Sequence, residues 1–398
     1  MNVARADALA ARSHLAAEGW IPRTAESFRH LPPPDAALWL GEPAAPAPAA
    51  ADGGWRLHDL PAAQRALVDA RWLDAADAAQ RGQLLAGLPP PGRDEAAPFA
   101  WAHRALLRHG LRLRIAAGAP LVLRLDRRAT AAVEAPLLVI ELLPGARCVL
   151  LESHENGGQD VQNLQVHVRV GEGAALQHLR AVMPEAAAHL AHDVQVQLAA
   201  DAAYEQCLLA SGSRYHLQRT VLDLLGPRAL AHTAGVLLGA DTALDQQTQV
   251  RHGAAHTRSG IDALALGSGG ARLVANARST ISPGCDEAQT RQRLAGVPTA
   301  GQPRLVLRPH LEIHHDDVQA AHGATWGALP QEALFHARQR GLDETAAKAM
   351  ILHGMAQAVF ARALADPDTL ERAGFETLLA RALARHLAPA GMQERRHG

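Results

Sequence analysis

Residues 311–341 read LEIHHDDVQAAHGATWGALPQEALFHARQRG. Leu311 and Ile313 alternate with Glu312 and His314, the two-residue period of a strand with one buried face. Asp316, Asp317 and His322 follow where that alternation stops. Gly323 and Gly327 suit a turn, because glycine adopts backbone angles closed to other residues. Pro330 can open the next helix, since its missing N–H falls where a first turn has no acceptor, and Gly341 can close it as a left-handed cap. The stretch therefore reads as strand, polar turn, glycine turn and amphipathic helix.

Upstream, short strands dominate. Leu111, Leu113 and Ile115 alternate with arginines, Leu121, Leu123 and Leu125 keep the phase, and LQVHVRV (Leu164–Val170) and VQVQL (Val194–Leu198) repeat it. Such strands without helices between them exclude a doubly wound sheet and leave a sandwich, a barrel or a β-solenoid. No tight repeat length decides among these. Downstream of Pro330 the chain returns to helix, with Ile351, Met355 and Val359 on one stripe and Asp343 placed to cap it. The first hundred or so residues read as helical in segments such as Pro61–Leu73 and Trp101–Leu107, interrupted by the flexible loop AAPAPAAADGG at 44–54. The expected division is 1–110 helical, 111–325 strand core and 326–398 helical.

Composition removes several function classes. Among 398 residues, 39 Lys and Arg stand against 40 Asp and Glu, a net charge of −1 that gives no electrostatic case for nucleic acid or an anionic membrane. No apolar run is long enough to span a bilayer, so a soluble cytoplasmic protein is expected. Cys148, Cys207 and Cys285 are odd in number and far apart, as in a reducing compartment. Lys348 is the only lysine, and Glu344-Thr345-Ala346-Ala347 before it is not a phosphate loop, so a Walker A site is excluded.

The pattern Pro309-x-Leu311-Glu312-Ile313-x-x-Asp316-Asp317-Val318, then His322-Gly323-Ala324-Thr325-x-Gly327-x-Leu329, Leu334-Phe335 and Arg340-Gly341, resembles the C-terminal signature of the SufB/SufD family, scaffolds of the Suf iron–sulfur cluster assembly machine. Arg219, Gly226, Gly235, Gly239, Asp245 and His252 with Thr257 and Ser259 resemble the family's mid-chain pattern. Pro22-Arg23-x-x-Glu26-x-Phe28-Arg29 resembles a short motif near the N-terminus of its SufD branch. The resemblance implies a mainly β fold, a right-handed parallel β-helix flanked by helical N- and C-terminal regions. It also implies a noncatalytic scaffold, pairing with a SufB-like partner and docking a SufC-like ATPase. In the family the histidine of His-Gly-Ala-Thr lies at the partner interface and helps build the nascent cluster, which makes His322 the expected contributor of half a site. No cofactor is expected on this chain alone, only a cluster assembled transiently at that interface. Ala320 and Ala321 stand where the family places Cys and Ser, and His336 where it places an aromatic, so any role of that thiol is absent.

Read from residue chemistry alone, His310, Glu312, His314, His315, Asp316, Asp317 and His322 form the best metal candidate, with Glu312, His314 and Asp316 on one side of a continuing strand. His252 and His256 are expected to serve structure, through hydrogen bonds with Thr257 and Ser259. Cys148, in the apolar run Cys148-Val149-Leu150-Leu151, is expected to be buried and inert. Leu334, Phe335 and Met350 are the candidate ATPase contacts. Two rival readings stay open: a carbohydrate-active enzyme on a β-solenoid, and an independent histidine-rich metal protein using His314 and Asp316. Self-association of the isolated subunit is also left open.

Overall fold

The structure is a computed structural model that describes residues 3–41, 52–155 and 160–388. Most of the expected loop at 44–54 lies outside the described residues, and Asp52–Gly54 form a turn. The protein is mainly β, a β-solenoid of about 8 turns with helices at both termini. Strands alternate between two sheets as the chain advances, one nine-stranded and one ten-stranded. From Leu121 to Trp326 successive strands of each sheet pair in parallel. Each residue lies beside its counterpart one turn on, at a spacing that drifts from 26 residues (His189 beside Tyr215) to 32 (Arg272 beside Arg304).

The strands run nearly all apolar because both of their faces are covered. One face fills the lumen with Leu123, Leu150, Val166, Val194, Leu222 and Leu273. The outer face of the nine-stranded sheet carries Leu179, Leu209, Val236 and Leu264, against which the C-terminal helices lay Leu352, Phe360, Phe375 and Leu379. The outer face of the other sheet meets the N-terminal region through Phe28, Trp39 and Phe99, packed on Tyr215, Leu217 and Val274. Buried leucines and valines of this kind contribute about 1.5–3 kcal/mol each relative to exposure, and a strand covered on both sides loses the clean alternation of a half-buried one.

The two ends of the solenoid differ. At the N-terminal end Trp55–Leu57 and Val68–Asp74 add antiparallel strands to the first turn, and Trp55, on the first of them, is buried in the lumenal core. Pro61–Leu73 is thus only briefly helical, at Ala62–Arg65, before becoming strand: pairing with His109–Ile115 overrides the helix preference of Ala, Leu and Arg. At the C-terminal end Arg304–Ile313 and Val318–Trp326 each have a strand neighbour on one side only among the described residues. Val318–Trp326 is a strand where a glycine turn is expected. Gly323 lies within it, and neither Gly323 nor Gly327 takes a left-handed φ, whereas Gly341 does, at +90°. Helix Gln331–Gln339 begins after Pro330, and Asp343 caps Glu344–Ala363 by accepting from the Ala346 N–H at 2.7 Å.

The spaced glycines mark close approaches. A Cβ at Gly226 would lie 2.1 Å from the backbone nitrogen of Ala200, and one at Gly235 would lie 2.6 Å from the Gln246 amide inside the lumen.

Candidate functional site

The open end of the solenoid collects the residues singled out in the sequence. His322 sits in the middle of the terminal strand, directly beside Gln292 on the preceding strand, and its ring is exposed. Residues paired in a parallel ladder face the same way, so His322 projects from the lumenal side of a strand with no further turn stacked on it.

Its acidic and imidazole neighbours do not converge. The strand ends at Ile313, so His314 and Asp316 fall in a turn, and the expected same-side projection of Glu312, His314 and Asp316 does not occur. Glu312 instead accepts from Thr280 at 3.1 Å and lies 3.3 Å from His310 and 3.6 Å from Arg278. His315 meets Asp286 at 2.6 Å, and His256 meets Glu287 at 3.3 Å. Among the described residues no group of three His, Cys, Asp or Glu is placed to hold a metal ion. His314 and Asp316 therefore belong to no such group among the described residues. The three thiols are free and buried, and burial pushes Cys148 and Cys207 up, which leaves them protonated and unreactive.

The candidate ATPase contacts divide by burial. Leu334 is buried with Leu352 and Phe360 in the core of the C-terminal helices, whereas Phe335 and Met350 are 58% and 53% exposed. With Ile313, Trp326 and Leu342 they make five of the nine exposed large hydrophobic side chains among the described residues. All five fall between residues 313 and 350, on the terminal strands and the first C-terminal helices with the turn between them. Arg219, from the mid-chain pattern, is buried and pairs with Asp193 and Asp94, tying the solenoid to the segment that covers it. His252 is buried with Nδ1 2.7 Å from the Thr257 hydroxyl and Nε2 2.9 Å from the Ser259 hydroxyl, and burial lowers its pKa to about 4. It is a neutral strut.

Sequence reasoning missed a polar cluster inside the lumen. The fully buried Glu152 accepts from Arg180 at 3.1 Å and lies 2.5 Å from His154 and 2.7 Å from His178, whose other ring nitrogen meets the Tyr204 hydroxyl at 3.0 Å. Burial alone would raise the Glu152 pKa, but Arg180 and the two imidazoles overcome it and hold the carboxyl well below its ordinary range. The one available signal was a spacing: Glu152, His178 and Tyr204 stand 26 residues apart on successive turns, two short of the 28-residue register that sets Glu152 beside Arg180 and His178 beside Gln206.

Residues 125–355 match the family described as "SUF system FeS cluster assembly, SufBD core domain". The chain belongs to the SufBD family. The match begins in the strand Leu121–Arg128 and ends within the helix Glu344–Ala363, so it spans most of the solenoid, the open end and the first part of the C-terminal helices. Among curated proteins, this SufBD chain is 43% identical to the iron–sulfur cluster assembly protein SufD of Escherichia coli over 49 residues, 12% of each chain. It is 24% identical over 149 residues to SufBD family proteins of Mycobacterium bovis and Mycobacterium tuberculosis, covering 37% of this chain and 18% of theirs. These alignments thus span well under two thirds of the relatives' length. No helix among the described residues is long and apolar enough to cross a membrane.

Proposed function

We propose that this SufBD protein is a SufD-type scaffold subunit, without catalytic activity of its own, in an ATP-driven iron–sulfur assembly complex. The observation that carries the reading is the pair of strands at one end of the solenoid that are each paired on one side only among the described residues, with His322 on Val318–Trp326. An exposed strand edge offers a row of backbone donors and acceptors to another chain, and a SufB-like solenoid supplies a matching edge. His322 then contributes one imidazole to a nascent cluster whose remaining ligands come from that partner, because one nitrogen is too few to hold iron. Phe335 and Met350 would face a SufC-like ATPase, over helices that Leu334 anchors from within. The likeness to E. coli SufD over a short segment favours SufD over SufB. The work of ATP hydrolysis falls to the partner, since Lys348 is spent on Glu344 at 2.8 Å and no phosphate loop precedes it. Localisation in the cytoplasm follows from the reading rather than from the fold.

The test is co-expression with SufB-like and SufC-like partners, followed by cluster reconstitution. His322→Ala is expected to copurify normally and to lower cluster yield; a normal yield removes His322 from the mechanism, and failure to copurify with either partner removes the scaffold reading.

A further inference from the structure

The geometry points to Gln292 as the positioning residue that fixes the register of the terminal turn and thereby the place at which His322 is presented. The second half of that statement rests on the function proposed for His322; the first does not. Among the described residues the edge strand Arg304–Ile313 has ladder bonds on one side only, and a strand paired on one side is weakly held against slippage unless something else pins it. Gln292, only 1% exposed, reaches across the lumen from the opposite sheet and clamps that strand at one residue. Its Nε2 donates to the His310 carbonyl at 2.9 Å, and its Oε1 accepts from the His310 N–H at 3.0 Å. The same Nε2 donates to Ser279 Oγ at 2.8 Å, on the turn before.

Ser279 continues the connection inward. Thr290 donates to it at 2.9 Å, Ser259 donates to Thr290 at 2.8 Å, and His252 closes the series at 2.9 Å from Ser259. The clamp is therefore anchored on buried groups two turns back rather than on the edge it holds. From outside, Arg308 of the same strand is bound by the carboxylate and the carbonyl of Glu26, in the N-terminal segment that crosses this face. Only an amide can do what Gln292 does here, because one planar group must donate and accept against the N–H and C=O of a single residue. His322 is its ladder neighbour, so a shift of the pinned strand changes the surface beside that ring.

Gln292→Leu keeps the volume and removes all three bonds; Gln292→Glu keeps the acceptor and loses the donor to the His310 carbonyl. In the isolated full-length chain, backbone hydrogen exchange over 304–326 is expected to quicken about tenfold or more in Gln292→Leu and less in Gln292→Glu, with the earlier turns unchanged. The His322 ring resonance is expected to move while that of His103, buried against Pro136 beside the first turns, does not. Unchanged exchange over 304–326 overturns the pin whatever His322 does. Quickened exchange with an unmoved His322 resonance overturns the positioning role. Quickened exchange, a moved resonance and weakened partner binding, seen alongside a His322→Ala that still builds clusters, uphold the positioning and sink only the ligand role of His322.

Discussion

Asp245 offers the sharpest test of the cover over the ten-stranded sheet. Its carboxylate is fully buried where the N-terminal segment lies across the solenoid, accepting from Gln247 at 2.9 Å and from Asn276 at 3.3 Å. Burial pushes its pKa from 3.8 up to about 7, and the two amides and the more distant Arg308 pull it only partly back. An acid whose pKa is higher folded than unfolded holds its proton more tightly in the folded chain. The stability it contributes is full below the unfolded pKa and drains away as pH rises toward 7. A shift of about three pKa units corresponds to about 4 kcal/mol. Spread over a melting entropy of about 0.8 kcal/mol/K for a chain of this length, that is about 5 °C. Asp245→Asn abolishes the titration. Melting curves of both proteins from pH 4 to pH 8 should show the variant gaining several degrees on the wild type across that range. Any cost of turning an amide toward Gln247 and Asn276 is present at every pH and cancels in the slope. Parallel curves would refute the reasoning, because they would mean that the buried carboxyl ionises without penalty.

Three further outcomes follow from the same geometry. Glu152→Gln should cost about 3–5 kcal/mol at pH 7 by leaving Arg180 buried without its counter-charge. Because the folded pKa of Glu152 is depressed, its contribution is present above about pH 4.5 and lost as pH falls further, so the variant should show a shallower acid limb in a pH-dependent unfolding titration. Gly226→Ala should sharply lower Tm or prevent folding, since the added methyl meets Ala200 backbone at 2.1 Å and no flexible side chain can yield; a Tm within 2 °C of wild type would show that the turn is roomier than it looks. Cys148 and Cys207 should resist alkylation in the native protein and react only on unfolding, as a thiol assay with and without denaturant would show.

The sequence made the half-buried strands legible and hid what breaks their pattern. Leu111–Ile115 and Leu164–Val170 announce themselves because large apolar side chains recur every second residue, and they lie in the strands His109–Ile115 and Val161–Val170. Val318–Trp326 does not, because the last turn has nothing stacked on it: Ala320, Ala321, His322, Gly323 and Ala324 bury little, so no alternation is demanded of them. The solenoid repeat escaped notice for a different reason. Its period wanders between 26 and 32 residues as the corners lengthen, and a drifting period leaves no fixed spacing to find. Interior polar residues such as Glu152, His178 and Gln292 also read as solvent-facing until the turns are stacked, since all their partners but the nearby His154 lie 13 to 28 positions away. His322 stands out from the other histidines and acids of its cluster only because its neighbours resemble a family signature; its spacing carries no metal pattern, and among the described residues no metal-binding group surrounds it.

The asymmetry of the two ends constrains what the open one can do. A solenoid with complementary edges at both ends would stack head to tail without limit, since a heterologous contact that does not close on itself builds a filament. Here the N-terminal end is finished by antiparallel strands, and Val68–Asp74 carries Asp69 and Arg71 paired at 2.9 Å, charges of the kind that blunt an edge against further pairing. Among the described residues the end bearing Arg304–Ile313 and Val318–Trp326 has no such antiparallel finish, which favours it for association. On the proposed scaffold role, two such ends that meet leave neither solenoid a second edge of that kind, and association would stop at a pair. The same edge would suit a second copy of this chain or a related solenoid, and the choice between them would fall to side chains on the terminal turn. Ile313, His322 and Trp326 are exposed there, while the backbone edge itself does not discriminate. An imidazole at that seam is brought against a second polypeptide by the act of pairing, which is the condition a single ring needs to become part of a ligand set.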